Sequence, residues 1–263
     1  MIPAGAAGTL RGMKTSRVRF ENEAGHTLAG DLDMPERHPR AYALFAHCFT
    51  CGKNLTAVRR VSEQLTAEGI ALLRFDFTGL GDSEGDFADT SFYTNLLDLK
   101  AAADYLAREH TAPAALVGHS LGGAAVLAVA GSIPSARCVA TIGAPADTAH
   151  IRHLLAGVTF DDEGKAQVLI GGRPFTIGKE FFEDLANHDL LEQVAALHRA
   201  LLVFHSPVDA VVGIENAERI FTAARHPRSF ISLGNADHLL SNKHDAALVG
   251  HVLSAWASRY IDA

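Results

Sequence analysis

The chain has 263 residues, of which 48% are hydrophobic and 20% charged, and carries a net charge of −7 from 23 basic and 30 acidic side chains. That composition excludes intrinsic disorder, and an acidic balance with no basic cluster argues against a nucleic-acid or anionic-membrane partner. Three cysteines are too few for a disulfide framework and favour a cytoplasmic setting, and no run of about 18 apolar residues would span a membrane.

Residues 1–15 are Ala/Gly-rich, lack an apolar signal core and read as a flexible tail. Ser16 to Pro35 alternates through Val18, Phe20, Leu28 and Leu32 around Glu23-Ala24-Gly25-His26, the pattern of an antiparallel hairpin. Six short apolar runs follow, at 41–46, 70–75, 114–117, 139–142, 201–204 and 230–233. Continuous rather than alternating apolar strands imply a parallel sheet covered on both faces. Helical spacing lies between them: Leu55 to Leu65 ending at Gly69, Leu96 to Leu106, Leu121 to Ala130, Ala217 to Ala224 and Ala246 to Tyr260. Strand–helix alternation of this kind predicts a three-layer α/β fold. It breaks once, over about 147–198. That stretch holds a helical piece at Ile151–Ala156, an acidic turn at 161–164, a hairpin at 168–175 and a helix with Phe181, Phe182 and Leu185. It reads as a small lid inserted into one domain, 16–263. Phe160, Phe175, Phe181 and Phe182 read first as the lid's own core, with acyl-pocket lining as the alternative.

Gly118-His119-Ser120-Leu121-Gly122 fits Gly-x-Ser-x-Gly directly after a strand and before a helix, the context a nucleophile elbow demands. A serine nucleophile needs a base, and the base an orienting acid. In chain order acid then His, Asp209 follows the run 201–204 and His238 follows the run 230–233. Both therefore sit at the sheet edge where Ser120 emerges. Asp237 as acid and His205 as base are the competing choices; His205 reads better as a cap of its own loop, and Asp237 as a solvated turn residue. Oxyanion donors are expected from the backbone N–H of Leu121 and, in the loop after 41–46, of Phe49. Cys48 stands there where Gly is commoner, which leaves Cys48 as the other choice of donor. His47 reads as a loop-fixing residue. Cys48-x-x-Cys51 has no second half of a zinc site, since the only other cysteine is Cys138. Cys48 reads as a small packed thiol in place of glycine and Cys51 as incidental, with a redox switch as the rival. No metal-ligand cluster and no phosphate-binding loop occurs, so no cofactor is expected.

These motifs, together with Arg74-Phe75-Asp76-Phe77-Thr78-Gly79-Leu80-Gly81-Asp82-Ser83 and His205-Ser206-Pro207-Val208-Asp209, resemble the α/β-hydrolase superfamily. More narrowly, the chain is similar to bacterial serine hydrolases that occur alone or fused ahead of an OsmC-type (osmotically inducible) peroxidase domain. The resemblance implies an eight-stranded, mostly parallel sheet, the triad Ser120, Asp209 and His238, and esterase-like activity on a small-molecule acyl substrate. It also implies a functional link to an OsmC-type peroxidase. Many superfamily members carry Arg where Thr78 stands, so the turn after Asp76 is expected to lack its common anchor. The expected reaction is cleavage of an ester or ester-like acyl bond through an acyl-enzyme, with thioesterase, peptidase and perhydrolase variants open. A non-catalytic ligand binder and a redox-responsive partner of a thiol peroxidase are the competing classes. Nothing in the sequence fixes an oligomeric state.

Overall fold

In the computed structural model, which describes residues 13–48, 53, 55–147, 157–170, 173–186 and 188–262, the chain opens with the expected hairpin. Strands β1 (Lys14–Glu21) and β2 (Thr27–Met34) pair antiparallel from Lys14↔Met34 to Glu21↔Thr27. Asn22 closes the turn, its Oδ1 accepting the amides of Ala24 at 3.1 Å and His26 at 2.9 Å. The apolar runs then form β3 (Ala41–Ala46), β4 (Ile70–Phe75), β5 (Ala115–His119), β6 (Cys138–Ile142), β9 (Ala200–His205) and β10 (Arg228–Ser232). Together with the hairpin they make an eight-stranded sheet in the order β1-β2-β4-β3-β5-β6-β9-β10. Only β2 runs against the direction of the other seven strands; from β4 to β10 every pairing is parallel.

Alternate residues of one strand feed two separate cores. On β3, Ala43 and Phe45 face the helices α1 (Thr56–Ala67) and α7 (Lys243–Ile261), packing with Val58, Val61, Leu65, Val249 and Leu253. Leu44 and Ala46 face the opposite layer, α2 (Phe92–Glu109) and α3 (Leu121–Val129), with Leu99, Leu106 and Val126. Helix α2 starts at a capping box, Ser91 accepting from Thr94 N while the Thr94 hydroxyl accepts from Ser91 N. Two-sided burial is why these strands carry no polar alternation.

Between β6 and β9 lie a two-stranded sheet, β7 (Lys165–Ile170) and β8 (Arg173–Gly178), and the helices α4 (Lys179–Ala186) and α5 (Leu190–Ala195). The acidic turn before β7 is held by Asp161 Oδ1, which accepts the amides of Glu163 at 3.0 Å and Lys165 at 2.8 Å. Helix α6 (Glu215–Ala223) follows β9. The expected helical piece at 151–156 and the Gly171-Gly172 turn lie outside the described residues.

Two local expectations need correction. The last strand begins at Arg228 and ends at Ser232, because on this sheet edge Phe230 is 41% exposed and the apolar run there does not mark the paired residues. Helix α5 was not expected; Leu190 and Val194 share a core cluster with residues of α3 and with Ile220 of α6, so this piece belongs to the helical layer rather than to a cover over the sheet. The turn after Asp76, which lacks the common Arg, is anchored in another way. Asp98 of α2 accepts the Thr78 amide at 2.8 Å and hydroxyl at 3.0 Å, and Asn22 Nδ2 donates to Asp98 at 2.8 Å and to Thr78 Oγ1 at 3.0 Å. Burial pushes the Asp98 carboxyl above its ordinary pKa, against the pull of these donors. Phe181 is 1% exposed, its ring 5.8 Å from that of Phe87, and Phe175 lies 6.3 Å from Phe87. Those two rings pack as core; the side chain of Phe182 is outside the described residues.

Candidate active site

Strand β5 ends at His119, and Ser120 turns the chain into α3 with φ 55° and ψ −125°. A positive φ is costly for any residue with a Cβ, and the neighbouring glycines show what forces it. A Cβ on Gly118 would stand 2.2 Å from the Gly122 carbonyl oxygen, and one on Gly122 would stand 2.3 Å from the Ala46 carbonyl oxygen. The chain therefore doubles back on itself against β3. Ser120 N donates to the Ile142 carbonyl at 2.8 Å, which fixes the elbow to β6. Leu121, as the first residue of α3, has an amide with no partner within the helix, aimed with the helix dipole toward the elbow.

The loop after β10 brings His238 to the elbow, with Nε2 3.0 Å from Ser120 Oγ and Nδ1 2.8 Å from Asp209 Oδ2. A carboxylate only accepts, so Nδ1 carries the proton and Nε2 presents its lone pair to the Ser120 hydroxyl. Asp209 Oδ1 is filled by the amides of Val211 at 2.8 Å and Val212 at 2.9 Å. Burial alone would raise the Asp209 carboxyl; the bond and charge of His238 and the two amides outweigh it and hold its pKa below the ordinary value. Gly143, at φ 55°, runs alongside: a Cβ there would sit 3.3 Å from both Asp209 Oδ2 and His238 Nδ1. Ser120, His238 and Asp209 are thus in one hydrogen-bonded line.

The competing residues take other places. His205 is fully buried and bonds the Val212 carbonyl through Nε2 at 2.8 Å, closing the loop that carries Asp209. Asp237 is exposed and accepts the Ser241 amide at 2.9 Å. His47 is 1% exposed and bonds the Cys48 carbonyl through Nδ1 at 2.6 Å. Phe49 and Cys51 lie outside the described residues.

A model of the Alpha/beta hydrolase family matches residues 43–261. The chain belongs to that family. Among solved structures, this α/β hydrolase is similar to the esterase domain from a Rhodothermus marinus protein, at 56% identity and TM-score 0.82, covering 95% of this chain and 100% of that one. It shares the fold of Est1E from Butyrivibrio proteoclasticus with ferulic acid bound, at 21% identity and TM-score 0.81, covering 94% of this chain and 100% of that one. The protein YfhR of Salmonella typhi, described as uncharacterized, is 26% identical over 235 residues, 85% of this chain and 75% of that protein.

Behind the site, the hydrolase carries a charged anchor that the sequence reading missed. Lys53 is 5% exposed; its amide donates to Asp76 Oδ1 at 2.8 Å, and its ammonium meets Asp76 Oδ2 and, at 2.8 Å, Asp82 Oδ2. Arg74 donates to the Lys53 carbonyl while pairing with Asp33 at 2.8 Å and Asp31 at 3.1 Å. Burial alone would lower the Lys53 pKa, but the two carboxylates raise it above the ordinary lysine value. Asp76 accepts the Asp82 amide at 3.1 Å as well, so it fixes the turn that follows it. No single-position signal marks Lys53 as buried, since its partners come from two later turns. Cys48 also departs from the expected packed thiol: it is 4% exposed and disulfide-bonded, whereas Cys138 is buried and free, its thiol pushed up to about 12 by burial. Among the described residues no group of His, Cys, Asp or Glu is arranged to hold a metal, and no helix is long and apolar enough to cross a membrane.

Proposed function

We propose that the chain is a serine esterase acting on a small-molecule acyl ester through an acyl-enzyme. The observation that carries the reading is the line Ser120 Oγ–His238 Nε2–His238 Nδ1–Asp209 Oδ2, at 3.0 and 2.8 Å, mounted on a strained elbow. Ser120 Oγ attacks the substrate carbonyl carbon as His238 Nε2 takes its proton. The tetrahedral oxyanion accepts hydrogen bonds from the Leu121 amide and from a donor in the loop after β3, assigned to Phe49 N–H. Collapse expels the alkoxide, which takes the proton from His238 Nε2 and leaves as alcohol. Water then attacks the acyl-Ser120 ester with His238 again as base, releasing the acid and restoring the hydroxyl. Asp209, held ionised, stabilises the imidazolium in both halves.

The likeness to the Rhodothermus marinus esterase domain favours an oxygen ester over a thioester, amide or peracid, since it covers 95% of the chain at 56% identity. A functional link to an OsmC-type peroxidase belongs to the same proposal and is carried by motif resemblance; a cytoplasmic location is carried by the low cysteine count, and the disulfide at Cys48 counts against it. The hydrogen-bonded set counts against a purely binding role on this fold. The test is hydrolysis of a panel of p-nitrophenyl acyl esters and thioesters by the native chain and by Ser120→Ala. The native chain is expected to turn over short acyl esters and Ser120→Ala to lose about 10⁴–10⁶ in kcat. A Ser120→Ala variant that keeps a tenth of the activity refutes the assignment.

A further inference from the structure

The residue ahead of the nucleophile is a histidine that the reaction as written does not use. His119 is 3% exposed at the carboxyl end of β5. Its Nε2 lies 2.7 Å from the main-chain carbonyl oxygen of His238, and the two imidazole rings are 5.0 Å apart. A carbonyl oxygen only accepts, so this contact requires the Nε2–H tautomer of His119. Its Nδ1 is then a lone pair, buried without a partner, on a side chain set among Phe45, Val58, Ile142 and Leu239. We infer that His119 is a positioning residue: its Nε2–H fastens the loop carrying the base to the strand carrying the nucleophile, and so sets the Ser120–His238 distance. The inference rests on the proposed esterase reading of Ser120 and His238.

Two further observations support it. An unpartnered buried ring nitrogen is unfavourable, so a leucine would suit this apolar surround better unless the one bond that His119 makes has a use. The same arrangement also recurs along the sheet edge. His47 after β3 and His205 at the end of β9 are buried, each bonds a main-chain carbonyl through one ring nitrogen, and each leaves the other nitrogen without a hydrogen-bond partner. Their acceptors are Cys48 O and Val212 O, in the loop assigned the second oxyanion donor and in the loop holding Asp209. Three loops of this edge, those after β3, β9 and β10, are therefore each held by a histidine at or just beyond the end of a strand. Burial, with the neighbouring His238 adding to it, lowers the pKa of His119 to about 3, so the ring stays neutral and its donor stays in place wherever the protein works.

The experiment compares His119→Leu, which removes the donor and suits the apolar surround, with His119→Gln, whose amide can again donate to His238 O. On a p-nitrophenyl acyl ester, His119→Leu is expected to lose roughly ten- to hundredfold in kcat with KM within about twofold, because a small misplacement of a reacting group acts on kcat. His119→Gln is expected to recover to within about threefold of the native chain. A His119→Leu variant with native kcat overturns the inference, and so does a His119→Gln variant as impaired as His119→Leu. Long-range ¹H–¹⁵N spectra of the native chain decide the matter without mutation, should His119→Leu fail to fold. An Nε2–H His119 that does not titrate between about pH 5 and 8 is expected; an Nδ1–H tautomer overturns the inference. If the native chain hydrolyses no ester, the esterase reading falls instead, and the tautomer still reports on the fastening bond by itself.

Discussion

At Ser120 function and stability pull in opposite directions. Its φ of 55° is a conformation that residues with a Cβ adopt at a cost of about 1–3 kcal/mol, and glycine is relieved of most of that. Ser120→Gly should therefore melt at a higher temperature than Ser120→Ala while both are equally inactive, as thermal unfolding followed by circular dichroism would show. Equal melting temperatures would mean that the elbow stores no strain. Asp209 makes a second prediction. Its carboxyl is held below the ordinary range and His119 down to about 3, so neither takes up a proton between about pH 5 and 8. Neither group should therefore contribute to the fall in kcat/KM on the acid side, whose slope on a log plot should not exceed one. A slope of two would show that a second group in the site titrates. Replacing the acid by Asp209→Asn removes the acceptor that fixes the His238 tautomer, and kcat should drop about 10⁴-fold. Ser120, Asp209 and His238 could all be picked out in the sequence, because motif and strand-end position mark them. His119 and Lys53 could not. Their functions depend on His238 O and on Asp76, which are remote in sequence and become neighbours only through strand order.

The elbow is held between β3 and β5 by contacts that leave no room for a methyl group. Gly122→Ala would drive a Cβ to 2.3 Å from the Ala46 carbonyl oxygen, so backbone must move. Activity and melting temperature should fall together, unlike in Ser120→Ala. The segment between β6 and β9 gives another prediction at this scale. A detachable cover would tolerate truncation of its aromatic residues. Phe181, however, is 1% exposed and shares one cluster with Phe87, Leu121 and Ala124. Phe181→Ala is therefore expected to cost about 3–5 kcal/mol in urea unfolding; a loss below about 1 kcal/mol would mean that the segment is only loosely applied. The same packing explains what the sequence reading missed here. Helix α5 spans only Leu190–Ala195, too short for a helical period to stand out, and its burial comes from α3 and α6. By contrast β3 and β4 were legible to the residue, since a strand buried on both faces is apolar almost throughout, Arg74 of β4 being the charged exception, and ends where polar residues begin. The edge strand β10 has one covered face, and its limits shifted by two residues at the start and one at the end.

Across the whole molecule, the parallel strands deliver every active-site loop to one edge. The proposed nucleophile follows β5, the proposed acid β9, the proposed base β10, and the loop assigned the second oxyanion donor β3. Two independent cores hold those strand ends in place, one under α1 and α7 and the other under α2, α3, α5 and α6. The α/β architecture was legible from strand–helix alternation alone, and the family from four motifs; the registration of the loops depends on bonds between distant segments. If the proposed reading holds, this edge makes Ser120 the activated nucleophile of the chain. The direct measurement is peptide mapping by mass spectrometry after treatment with a fluorophosphonate probe. One adduct per native chain is expected, on Ser120, with labelling lost in Ser120→Ala and strongly slowed in His238→Ala. An adduct on another residue, or a native chain that takes none, would contradict it.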